Sequence, residues 1–209
     1  MRRNVRNTSV RIAAVALGVA LMGAAPTSGP AAAFLSTWAS TSSYSADIKV
    51  HETKGSDIQD RTYHIAYLKP HFARLDITGG PGKGGGAVWH GGDTVSGHQG
   101  GFLSGIHLTV SVHDGRATDL RGATIDEASF QNMADDIAKA PTLSAVEEAG
   151  LDGVTFPFTG PNGATKRTIW FSKTTHLPVR RVTYTGDTIV VDEQFTNVNA
   201  AAGLKESDF

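Results

Sequence analysis

Eight histidines stand in a chain of 209 residues that has no cysteine, so imidazole and carboxylate are the groups from which a metal site would have to be built. His107 and His113 share one face of a strand-like run. They lie six residues apart, roughly 20 Å at strand rise, too far to hold one ion together. His90 and His98, with Asp93 between them, form the one cluster that a hairpin could gather, but ordinary surface placement is the favoured reading and no metal is expected. Gly79-Gly80-Pro81-Gly82-Lys83-Gly84 looks like a phosphate-cradling loop, yet no Ser or Thr follows the lysine and no helical pattern opens after it. A mobile connector is expected there. No G-x-S-x-G elbow surrounds any serine, and the lack of cysteine removes thiol chemistry. A Ser/His/Asp triad built from distant residues stays open. Asp126-Glu127 and Glu147-Glu148 fall on expected helix starts or faces, where acids serve the helix dipole. Neither an enzyme nor a cofactor is expected.

The first residues have the order of a secretory signal. Arg2, Arg3, Arg6 and Arg11 precede an apolar run from Ile12 to Met22, and Ala31-Ala32-Ala33 has the small-x-small form of a processing site. The run is short of the roughly 20 apolar residues of a membrane span. Residues 1–33 are therefore expected to be a removed signal peptide, with Phe34 as the first mature residue and a periplasmic or secreted product. Arg2-Arg3 leaves the choice between general secretion and twin-arginine export open. Lys and Arg number 19 and Asp and Glu 20; four arginines fall in residues 1–33, leaving 15 against 20, a net charge of −5. No basic field remains for nucleic acid. The 176 residues from Phe34 on suit one domain. Without disulfides, its stability must come from apolar packing.

The elements that would position any site are mainly strands. Tyr44, Ala46, Ile48 and Val50 alternate with Ser45, Asp47, Lys49 and His51, the period of a half-buried strand. Arg61–Leu68 pairs back on it, and Phe72–Ile77 continues the meander. Ala87–His90, Thr94–His98 and Phe102–His113 follow; in the last, Ile106, Leu108, Val110 and Val112 share one face. Thr124-Ile125-Asp126-Glu127 reads as a capping box opening an amphipathic helix through Phe130, Met133, Ala134 and Ile137 to Pro141. A second short helix is expected over Leu143–Ala149, ending at Gly150. Strands return at Lys166–Ser172, Val179–Thr185 and Thr188–Asn197. The expected class is mainly β, of α+β type: a curved antiparallel sheet or incomplete β-barrel with helices covering its concave face.

Such a sheet can hold a lipid tail under its helices with no catalytic residue, because each Å² of tail removed from water contributes about 25 cal/mol. The apolar faces offer Ile48, Val50, Ile106, Leu108 and Val110 from strands, and Phe130 and Met133 from the helix, as lining residues. The same residues would equally make an ordinary filled core.

Several motifs resemble the periplasmic lipoprotein-carrier superfamily, the LolA-like and LolB-like proteins with the outer-membrane lipoprotein-sorting group. They are a short helix near Phe34-Leu35-Trp38, then Tyr44-Ser45-Ala46-Asp47, then Leu68-Lys69-Pro70 with Arg74 beyond it. Trp170-Phe171-Ser172-Lys173-Thr174-Thr175-His176-Leu177-Pro178-Val179-Arg180 resembles the superfamily's late strand and turn. Phe195-Thr196-Asn197-Val198-Asn199 resembles its closing strand. Ser172 stands where the family usually has aspartate, and Trp89-His90-Gly91-Gly92-Asp93 reorders a family hairpin, as in a divergent member. The resemblance implies a half-barrel that receives a lipid or the acyl chain of a lipoprotein, with Arg74 near the helical lid. The alternative is an envelope protein-protein interaction module whose concavity is a filled core without ligand and whose histidine-bearing faces or glycine loop contact another protein.

Overall fold

The structure, a computed structural model, describes residues 28–101 and 104–209. Eleven strands form one antiparallel sheet: β1 Ser43–Lys54, β2 Asp57–Leu68, β3 Phe72–Gly79, β4 Gly86–Trp89, β5 Thr94–His98, β6 His107–Ser111, β7 Ser144–Glu148, β8 Leu151–Gly160, β9 Ala164–Phe171, β10 Pro178–Thr185 and β11 Thr188–Asn199. Their order is β6-β5-β4-β3-β2-β1-β11-β10-β9-β8-β7. Two meanders are thus joined where β1 pairs with β11, while β6 and β7 form separate edges. The half-barrel is open.

Alternation builds the inner face as expected. Tyr44, Ala46, Ile48 and Val50 are buried, and Tyr63, Ile65 and Tyr67 continue that face on the neighbouring strand. The outer face is polar. There His64 pairs with Asp47 at 2.8 Å and His51 with Asp60 at 2.9 Å.

Two helices fill one part of the concavity: α1, Gly29–Ser40, and α2, Phe130–Lys139. Phe34 and Trp38 of α1 and Phe130, Met133, Ala134 and Ile137 of α2 are buried, one turn apart on a single face of each helix. Trp38 Nε1 donates to Gln131 Oε1 at 2.9 Å, tying the helices together. The expected capping box does not form, and the helix cap lies five residues further on, at Ser129. Thr124 Oγ1 donates to the Asp126 carboxylate at 2.5 Å instead, residues 126–128 form a 3-10 turn, and Ser129 caps α2 by accepting the Asn132 N–H at 3.1 Å.

Three other expectations are corrected. Leu143–Ala149 is not a helix but strand β7 with its turn. Ala149 and Gly150 have φ of 48° and 80°, the pair of left-handed residues that a tight two-residue hairpin demands, and they fold β7 back on β8. The glycine stretch is not a loose connector but a hydrogen-bonded turn, with the Gly84 N–H on Ile77 O and the Ile77 N–H on Gly85 O, both at 2.8 Å. Gly80 is required there, since its φ is 81° and a Cβ would collide with the Asp60 carbonyl. The long strand expected over Phe102–His113 is confined to β6; Phe102 and Leu103 lie outside the described residues, as do residues 1–27.

Candidate ligand-binding cavity

The part of the concavity not filled by helices is a cavity of about 160 Å³. Its wall is the inner face of β1 to β4. Ile48, Val50, Tyr63, Leu75, Ile77 and Ala87 are apolar positions on strands whose alternation aims them inward. Its cover is the strap from β6 to α2, through Arg116, Ala117, Asp119, Thr124, Ile125 and Ala128. A smaller recess of about 90 Å³ adjoins it, sharing Gly86, Ala87, His98, Arg116 and Ala117 and continuing over Val95, Ile106, Leu108 and Val110 towards the β6 edge. Ile106 and Leu108 remain 54% and 46% exposed.

One end of the cavity is polar. Arg181 on β10 lies opposite Glu193 on β11, and its guanidinium grips the Glu193 carboxylate through two nitrogens, one at 2.6 Å, while donating to the Glu127 carbonyl at 2.6 Å. Burial alone would depress the Arg181 pKa, but the charge and hydrogen bond of Glu193 outweigh it and hold the guanidinium more firmly protonated than usual. Glu52 follows Val50 on the inner face of β1. Burial, then the hydrogen bond and charge of Asp119, push its pKa up to about 9, and the Leu120 N–H at 3.3 Å offsets this only in part. Glu52 is therefore a neutral acid at pH 7. Asp119 accepts the backbone N–H groups of Arg121 and Ala123 at 2.8 and 2.7 Å. Arg121 donates to Thr53 O at 2.6 Å and to Asn162 O at 2.8 Å, pinning the strap to both meanders.

The residues named as lining separate into four groups. Ile48 and Val50 line the main cavity, and Ile106, Leu108 and Val110 line the recess. Phe130 and Met133 are sealed in the core between α2 and the sheet. Arg74 is on the outer face, its Nε 3.0 Å from Asp76, away from both helices. The register explains the histidines too: His98 is opposite Gly86 at the far end of β4 from His90, so the hairpin does not gather the two. Among the described residues no group of three or more His, Asp or Glu side chains could hold a metal ion. The polar end, Glu52, Asp119, Arg181 and Glu193, was not anticipated. Its one sequence signal is parity, since Glu52 keeps the inward phase of Ile48 and Val50.

No family model and no curated protein matches the chain. Solved structures do. A putative outer membrane lipoprotein-sorting protein domain from Vibrio parahaemolyticus is 13% identical, with 86% of this chain and 95% of that one covered and a TM-score of 0.50. An uncharacterized conserved protein from Thermus thermophilus is 11% identical over 84% and 89%, with a TM-score of 0.52. A LolA superfamily protein from Nitrosomonas europaea is 10% identical over 86% and 96%, at 0.47. At these identities the shared property is the fold. The chain shares the fold of the lipoprotein-sorting domain and the Thermus thermophilus protein: a curved, open antiparallel sheet wrapped around helices.

Proposed function

We propose that this protein acts in the cell envelope as a non-enzymatic binder of a lipid, or of the acyl part of a lipoprotein, held in the half-barrel cavity. The segment ahead of α1 directs its export, and the rest is a single half-barrel domain. The observation that carries this reading is the continuity of the apolar wall: from Ile48 and Val50 through Leu75 and Ala87 to Leu108 and the exposed Ile106. A chain laid along it would cover apolar surface at about 25 cal/mol per Å². Among the described residues no helix is long and apolar enough to cross a membrane. At about 160 Å³ the cavity is smaller than the roughly 300–1,000 Å³ typical of sites for drug-sized ligands. A single chain fits that volume better than a multi-tailed lipid.

One observation favours the alternative of a protein partner. Phe34, Trp38, Tyr44, Tyr67 and Phe130 fill the other part of the concavity, so Ile106 and Leu108 beside the β6 edge could instead meet another chain. Native mass spectrometry of protein purified from its own envelope, followed by organic extraction, separates the two. An acyl species bound to the wild type and lost from Leu108→Lys supports the lipid reading. A clean apo mass that takes up no added lipid refutes it. Leu108 is the position to change because it is half exposed and tolerates a charge, whereas Ile48 is fully buried.

A further inference from the structure

We infer that the ligand is a single-chain amphiphile with an anionic head, carboxylate or phosphate, and that Arg61 receives the head while the chain runs along the β3 to β6 wall towards Ile106. This rests on the lipid-binding reading above and deepens it.

Arg61 stands on β2 opposite Val50, on the inward-facing side of the strand, and lines the cavity. Its Nη1 donates to the Tyr63 hydroxyl at 3.3 Å, and its Nε has no hydrogen-bond partner. Of the three arginines lining the cavity, Arg181 is neutralised by Glu193 and Arg116 by Asp114 at 2.7 Å. Arg61 forms no ion pair among the described residues. An arginine with no carboxylate in a largely apolar wall is costly unless something anionic completes it, and its planar fork suits carboxylate or phosphate.

The nearby acids do not compete for this role. Glu193 is committed to Arg181, and Asp119 to two backbone N–H groups. Glu52, neutral at pH 7, adds no repelling charge. Beyond Arg61 the apolar share of the wall rises through Leu75 and Ala87 to Val95, Ile106, Leu108 and Val110 of the recess, which His98, Gln99 and Arg116 also line. A head at Arg61 and a tail over Leu108 match that gradient.

The test compares hexadecanol, palmitate and 1-palmitoyl lysophosphatidate, each below its micelle concentration, for binding to the purified protein by equilibrium dialysis. The expected result is that at least one anionic ligand binds ten-fold or more tightly than hexadecanol. Arg61→Gln should abolish that preference, and Arg61→Lys should keep part of it. Which anion binds better identifies the head as carboxylate or phosphate. Equal affinity for all three ligands, or a preference untouched by Arg61→Gln, overturns the inference while leaving a chain-binding protein. Failure of all three, together with a lipid-free envelope preparation, overturns the binding reading itself.

Discussion

Tyr44 on β1 holds α2 in two ways: its ring lies parallel to that of Phe130, centroids 4.1 Å apart, and its hydroxyl accepts the Phe130 backbone N–H at 3.1 Å. The second contact satisfies one of the donors that every helix start leaves unpaired, here in a fully buried place. Tyr44→Phe should therefore cost about 1–3 kcal/mol, the penalty for a buried N–H without an acceptor. Phe130→Ala should cost about 3–5 kcal/mol through the cavity it leaves. Urea unfolding measures both. A Tyr44→Phe variant as stable as wild type would mean that the N–H finds another partner.

Arg181 and Glu193 make a buried ion pair inside the sheet, and such pairs are worth less than their removal suggests. Glu193→Gln leaves a guanidinium uncompensated and should destabilise by about 3–5 kcal/mol. The double change Arg181→Met with Glu193→Leu removes both charges and should recover most of that loss. A double-mutant cycle from urea midpoints checks it, and additive losses would contradict it.

Helix α1 bears on where the proposed signal peptide would be cut. It starts at Gly29, Ala31 and Phe34 are buried, and Phe34 stacks on Phe171 at 5.1 Å. Cleavage after Ala33 would remove the first helical turn and place an α-ammonium beside a buried ring, with its charge opposed to the helix dipole. The packing predicts a mature terminus ahead of Gly29. N-terminal sequencing of the exported protein tests this directly. A chain begun at Phe34 should also be less stable than one begun at Ser28, by about 2 kcal/mol, with Tm lower by about 2–4 °C for each kcal/mol. Equal melting temperatures would show that the first turn is dispensable.

Where side chains alternate cleanly, as from Tyr44 to Val50, the sequence was a sufficient guide to the fold, because burial on one face leaves a period of two. It failed where helix formers sit in a strand. Ala145, Glu147 and Glu148 have little β-preference, and the turn that makes them a strand depends on Ala149 adopting a left-handed φ that alanine seldom takes. Strand β8 went unforeseen because Gly153 and Pro157 interrupt it; its inward residues, Val154 and Phe156, are buried all the same. The apolar wall of the cavity was legible in Ile48 and Val50. Arg61 and the polar end were not, since a charged residue on an inward-facing position is explained only by partners distant in the chain, such as Asp119 for Glu52. Arg74, matched by motif, falls on the outer face because it is one residue out of phase with the buried Ala73.

Glu52 makes stability depend on pH in an unusual direction. Its pKa rises from 4.5 to about 9 on folding, chiefly through burial and then through Asp119. Between those values the native state keeps a proton that the unfolded state has released, so the contribution of Glu52 is complete below about pH 4.5 and is lost as pH rises towards 9. The slope from this one group is at most about 1.4 kcal/mol per pH unit. Glu52→Gln keeps an oxygen for the Leu120 N–H but cannot ionise. It should remove this part of the slope and leave the variant at least as stable as wild type at pH 8. Urea midpoints for both proteins from pH 5 to pH 9 measure it. Parallel curves would mean that Glu52 is ionised in the folded protein, and that the strap is held over the cavity by Arg121 instead.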